Sequence, residues 1–149
     1  MKMKNVFKEE FCVIGMECTL DKNNSRQIPQ LWDTFIAREH ELSDMVVSES
    51  TYGICFPEED SFLYMAGAEV KKDAPALSNM IYKEIPASYY AVYTHRGPVS
   101  KIKDTISKIN DLSEKEHVFL RAPEFECYDE RFLGPDHPDS EVDLYFPIK

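Results

Sequence analysis

Pro123-Glu124-Phe125-Glu126-Cys127-Tyr128 and, a turn later, Glu141-Val142-Asp143-Leu144-Tyr145-Phe146-Pro147-Ile148 are the segments on which the fold turns. Both are rich in residues that suit a pleated surface, and Gly134-Pro135-Asp136-His137-Pro138-Asp139 between them is dense in turn formers. They predict strands over 124–132 and 141–148. Upstream, Gly97-Pro98 is followed by Val99, Ile102, Ile106 and Ile109 on one helical face. Before that helix runs a strand from Ile81 to Thr94, which Pro86 is expected to bend or interrupt. The second half therefore reads β-α-β-β.

The first half repeats this order. Phe11 to Leu20 is a strand, and after the turn-like Asp21-Lys22-Asn23-Asn24 a helix follows. Ser25 is its expected cap, Pro29 fits its first turn, and Ile28, Leu31, Phe35, Leu42 and Met45 share a face. Strands from Thr51 to Phe56 and from Phe62 to Val70 are split by the acidic turn Pro57-Glu58-Glu59-Asp60. A unit of about 75 residues buries too little apolar surface alone, so the halves are expected to share a core. The expectation is one α+β domain over residues 1–149, built from pseudo-repeats of about 1–75 and 76–149.

Strand parity gives a first map of the two sheet faces. Val142, Leu144, Phe146 and Ile148 alternate with Asp143, Tyr145 and Pro147, so the apolar set is expected under the helices and Tyr145 away from them. The same rule sends Phe125 and Cys127 under the helices and Glu124, Glu126 and Tyr128 to the helix-free face. It likewise turns Leu63 and Met65 inward and Phe62 and Tyr64 outward, and it favours Val92 as inward in its strand.

The 149 residues carry a formal net charge of −10, with 43% apolar and 30% charged residues. That composition is globular, and its acidity disfavours direct binding to nucleic-acid phosphates. Cys12, Cys18, Cys55 and Cys127 form no C-x-x-C pair and read as reduced thiols, which suits a cytoplasmic protein. No apolar run reaches membrane-spanning length, and no secretory h-region follows Met1-Lys2-Met3-Lys4. His40, His95, His117 and His137 lack metal-ligand spacing, and no phosphate loop or nucleophile elbow is present, so neither a metal nor a cofactor is expected. Glu114-Lys115-Glu116-His117 reads as a solvated loop.

Three segments in order resemble the GyrI-like family, the effector-binding domain also fused to drug-responsive MerR-type and AraC-type transcription regulators. They are Ala91-Val92-Tyr93-Thr94-His95-Arg96-Gly97-Pro98, Ala122-Pro123-Glu124-Phe125-Glu126-Cys127-Tyr128-Asp129 and Ser140 to Ile148, with Tyr64-Met65-Ala66-Gly67 as a shorter match in the first half. The resemblance implies two SHS2-type modules about a pseudo-two-fold axis, an antiparallel sheet with both helices on one side, and a ligand groove between the modules. It further implies that Glu126 sits deep in that groove beside aromatics, with Tyr145 and Tyr64 matching family positions. Many relatives carry a Trp-Leu-Pro-like segment where this chain has Asn110 to His117, and the lone tryptophan here is Trp32 on the first helix. With no room for a helix-turn-helix beside the modules, the chain resembles a stand-alone version of the domain.

A carboxylate among aromatic rings offsets the desolvation of an organic cation, and each ring adds about 0.5–2 kcal/mol of cation-π attraction. The expected ligand-binding residues are therefore Glu126, Tyr145, Tyr64, Tyr93, Phe62 and Trp32, and the expected partner is a small amphipathic or cationic aromatic molecule. One alternative, implied by the resemblance, is a hydrolase of strained cyclopropane-bearing electrophiles that uses Glu126 with Tyr145. Another is a protein-binding modulator of DNA gyrase, whose protein partner no motif here specifies.

Overall fold

The computed structural model describes residues 2–21, 26–116 and 119–149. Eight strands run β1 (Met3–Lys8), β2 (Phe11–Leu20), β3 (Val46–Pro57), β4 (Phe62–Val70), β5 (Ile81–Ile85), β6 (Ser88–Arg96), β7 (Glu124–Tyr128) and β8 (Glu141–Ile148). Helix α1 (Gln27–Arg38) follows β2 and α2 (Ile102–Glu116) follows β6. All strand pairs are antiparallel, in the order β1-β6-β8-β7-β3-β4-β2-β5.

That order contains the duplication. From edge towards centre, the first half lays down β2, β4 and β3, and the second lays down β6, β8 and β7, with β3 and β7 pairing at the middle. Each half also lends a strand to the other: β1 of the first half pairs with β6, and β5 of the second pairs with β2. Pro86 does interrupt the long strand predicted over 81–94. It has no N–H for a ladder, and the two pieces lie at opposite ends of the sheet order. Only Pro86-Ala87 joins β5 to β6, and only Glu9-Glu10 joins β1 to β2. The sheet must therefore curl, and its inner face closes on Phe11, Val13, Tyr52, Ile54, Met65, Ile85, Tyr90, Val92 and Phe125.

The outer face carries both helices. Phe35, with Leu31 and Trp32 beside it, packs α1 on Ile14, Met16, Ala66 and Ala68, while Ile102 and Ile109 pack α2 on Ala91, Tyr93, Val142, Leu144 and Phe146. The sequence missed β1, in which Lys4, Asn5 and Lys8 break any apolar alternation and no residue is fully buried. Helix α2 runs through Glu116, so Glu114-Lys115-Glu116 is helical rather than the expected loop. The strand predicted over 124–132 stops at Tyr128, where Asp129 begins a turn clamped by Arg131. The expected cap Ser25, the turn residues Lys22 to Asn24, and His117 lie outside the described residues.

Candidate functional site

One transverse row of the sheet fixes the site. Met16, Ala66, Gly53, Glu126, Leu144, Tyr93 and Met3 are successive cross-strand partners. Directly opposed residues point to the same face, so the whole row faces the helices. Met16 and Ala66 lie under α1, and Leu144 and Tyr93 under α2. Glu126 and Gly53 hold the middle, between the helices and at the junction of the two halves.

This row corrects the parity map. Glu126, Tyr64 and Tyr128 lie on the helix-bearing face, and Phe125, Cys127 and Met65 on the inner one. Both faces of this sheet are buried, so an apolar residue does not identify the helix side. Val92, expected on the helix side, faces the helix-free cluster instead, whereas Tyr93 and His95 turn to the α2 side. There the His95 ring nitrogens bond the Thr105 hydroxyl (2.7 Å) and the Pro98 carbonyl (2.9 Å). Tyr145 lies on the helix-free face, as its parity predicts, stacked on Phe125 with ring centroids 4.5 Å apart. It sits across the sheet from Glu126 rather than beside it.

Around Glu126 the hydrogen bonds form a directed chain. The Trp32 indole N–H donates to the Tyr64 hydroxyl (2.9 Å), which donates to Glu126 Oε1 (3.0 Å), and the Tyr128 hydroxyl donates to the same oxygen (2.8 Å). Trp32 closes the top, its ring edge-on to Tyr128 at 5.1 Å, and Tyr128 is braced edge-on by Phe132 at 5.0 Å. Helix α1 supplies Trp32, β4 supplies Tyr64, and β7 supplies Glu126 and Tyr128. Gly53 makes the meeting possible: a Cβ there would overlap the Tyr64 hydroxyl and lie 2.6 Å from Glu126 Oε1.

Burial raises the Glu126 pKa, and the hydrogen bonds from Tyr128 and Tyr64 oppose that rise. Tyr64 and Tyr128 are held firmly in the phenol form, first by burial and then by the Glu126 charge. Neither Glu126 nor Glu124 has a lysine, arginine or histidine within ion-pair distance among the described residues. Beside them opens a cleft of about 190 Å³ lined by Cys55, Pro57, Phe62, Leu120, Arg121, Ala122 and Glu124. A larger opening of about 530 Å³ lies along the flank of α1 that carries Leu31, Thr34 and Arg38. Its lining omits Glu126, and its one arginine is already bonded to Glu41.

Of the residues singled out from sequence, the structure brings Glu126, Tyr64 and Trp32 together and puts Phe62 in the adjoining cleft. Tyr93 and Tyr145 lie elsewhere. Two participants, Tyr128 and Gly53, were missed as site residues. Parity with Glu126 in the same strand signals Tyr128, but Gly53 depends on the β3–β7 register, which one sequence does not reveal.

Fold and site together define a duplicated effector-binding domain of GyrI-like fold, with an acidic centre between its two helices. The chain belongs to the family of integron-associated effector binding proteins, whose model matches residues 6–148. It is 38% identical over 151 residues to the transcriptional regulator BrlR of Pseudomonas aeruginosa; that match takes in 99% of this chain and 56% of the regulator, so the chain spans about half its length. In fold it is similar to SAV2435 bound to tetraphenylphosphonium, with a TM-score of 0.81, 16% identity, and coverage of 100% of this chain and 94% of that one. An integron cassette protein of Vibrio cholerae is also similar, with a TM-score of 0.71, 15% identity, and coverage of 99% and 95%. Among the described residues, no helix is long and apolar enough to cross a membrane.

Proposed function

We propose that this domain binds cationic or amphipathic aromatic molecules between its helices, with Glu126 as the anionic anchor and Trp32, Tyr64, Tyr128 and Phe62 as the aromatic surround. The observation that carries this reading is a carboxylate held among aromatic rings by two tyrosine hydroxyls, with no basic side chain to neutralise it among the described residues. A half-buried anion without a counterion is disfavoured, and an organic cation relieves that cost while its apolar body meets the rings. The similar protein bound to tetraphenylphosphonium supports this ligand class.

Trp32 is the single tryptophan and touches the site directly, so its fluorescence reports occupancy. Titration with tetraphenylphosphonium should give a saturable change, shifted at least tenfold to weaker binding in Glu126→Gln. An unchanged midpoint would remove Glu126 from recognition.

Hydrolysis is a second reading, favoured by the Tyr-Glu hydrogen bonds. With Tyr145 on the inner face, the tyrosine assisting Glu126 becomes Tyr64 or Tyr128, at 3.0 and 2.8 Å. A carboxylate of raised pKa suits a general base. Turnover of a cyclopropane-bearing electrophile, abolished in Glu126→Gln, is the required result; binding without product would reject it.

A further inference from the structure

Glu124 plays no part in the binding of a cation by Glu126, yet it shares β7 with Glu126. The two stand two residues apart on β7, opposite Cys55 and Gly53, and so project to the same face, roughly 7 Å apart along the strand. We propose that the site is built for rigid aromatic dications, with one positive charge on Glu126 and the second on Glu124 in the adjoining cleft; this rests on the cation reading of Glu126.

Several observations converge on it. The cleft is apolar on the side of Phe62, Pro57 and Leu120 and acidic at Glu124, a surface that suits a flat ring bearing a charge. Arg121, the one basic residue of the lining, keeps its charge while its guanidinium donates to the Glu58 backbone carbonyl, and Glu124 makes no ion pair among the described residues. Cys55 pairs with Glu124 across the ladder, and burial, then Glu124, then Glu126 push its thiol up to about 12. Glu124 is itself raised by burial and by the Glu126 charge. Two part-buried carboxylates on one face of β7 each favour a nearby positive charge, so a ligand that supplies both charges at once satisfies both.

The test is a matched pair of probes measured by calorimetry. Methyl viologen carries two charges at the ends of a two-ring axis, and N-methyl-4-phenylpyridinium has the same outline with one. Wild type should bind the dication at least tenfold more tightly. In Glu124→Gln the dication should fall to the level of the monocation, whose own affinity stays within twofold, and Glu124→Asp should retain much of the preference. Thermal melting checks that each variant is folded. A monocation that depends on Glu126, with a dication no tighter, would overturn this proposal and leave the reading of Glu126 intact. Independence of both probes from Glu126 would overturn the reading as well. A dication preference that survives Glu124→Gln would reflect only the chain's net charge of −10 and would also overturn the proposal.

Discussion

Gly53 and Glu126 occupy equivalent places in the two halves, paired with each other across β3 and β7 at the centre of the sheet. Their neighbours correspond too: Ala66 stands to Gly53 as Leu144 stands to Glu126, and by the same register Tyr64 corresponds to Val142. One half thus puts the smallest residue where the other puts a carboxylate, and a tyrosine where the other has a buried valine. A symmetric frame holds a single asymmetric charge because the first half gives up volume at Gly53 for the Tyr64 hydroxyl and the Glu126 head group to meet. The duplicated scaffold makes the position between the helices, and these unequal residues make the site.

The strongest way to break this asymmetry is Gly53→Ala. The added methyl overlaps the Tyr64 hydroxyl, so overpacking should lower stability by about 1–3 kcal/mol in urea denaturation and displace the carboxylate, weakening tetraphenylphosphonium binding at least tenfold. Tyr64→Phe makes β4 more like its valine-bearing counterpart. It removes a donor to Glu126 and strands the Trp32 indole N–H, at a cost of about 1–2 kcal/mol with a shift in Trp32 emission.

Glu126→Gln gives a smaller effect on stability, and its size depends on pH. A carboxyl whose folded pKa is raised contributes stability that is fully present below its unfolded value and lost as pH rises through the folded value. The glutamine variant should therefore melt higher than wild type at pH 8, and that advantage should vanish towards pH 4. The smallest effect is expected on the helix-free face. Tyr145→Phe, on the inner face against Phe125, should leave cation affinity within twofold.

Element order was legible because it rests on local signals: helical spacing at Val99, Ile102, Ile106 and Ile109, the acidic turn after Phe56, and Pro86 cutting its strand. The α+β class, the antiparallel sheet and the helices gathered on one face follow from that order and from the family resemblance. Which residues share the helix face did not follow, because register is a property of strand pairs. Phe125 and Leu144 look alike in sequence, yet the ladder sets Phe125 against Tyr145 and Leu144 against Glu126. With apolar clusters on both faces, hydrophobicity had no power to choose between them. That error put Tyr145 beside Glu126 and hid Gly53, whose role exists only through a neighbour's side chain.

If Glu126 is a half-buried carboxyl that takes a cationic ligand, its own titration reports it most directly. Carbon-13 NMR of the Glu126 carboxyl should give a pKa above the ordinary glutamate range in the free protein, and saturating tetraphenylphosphonium should lower it, because the cation favours the charged form. A pKa in the ordinary range that does not move when the cation is added would contradict the account.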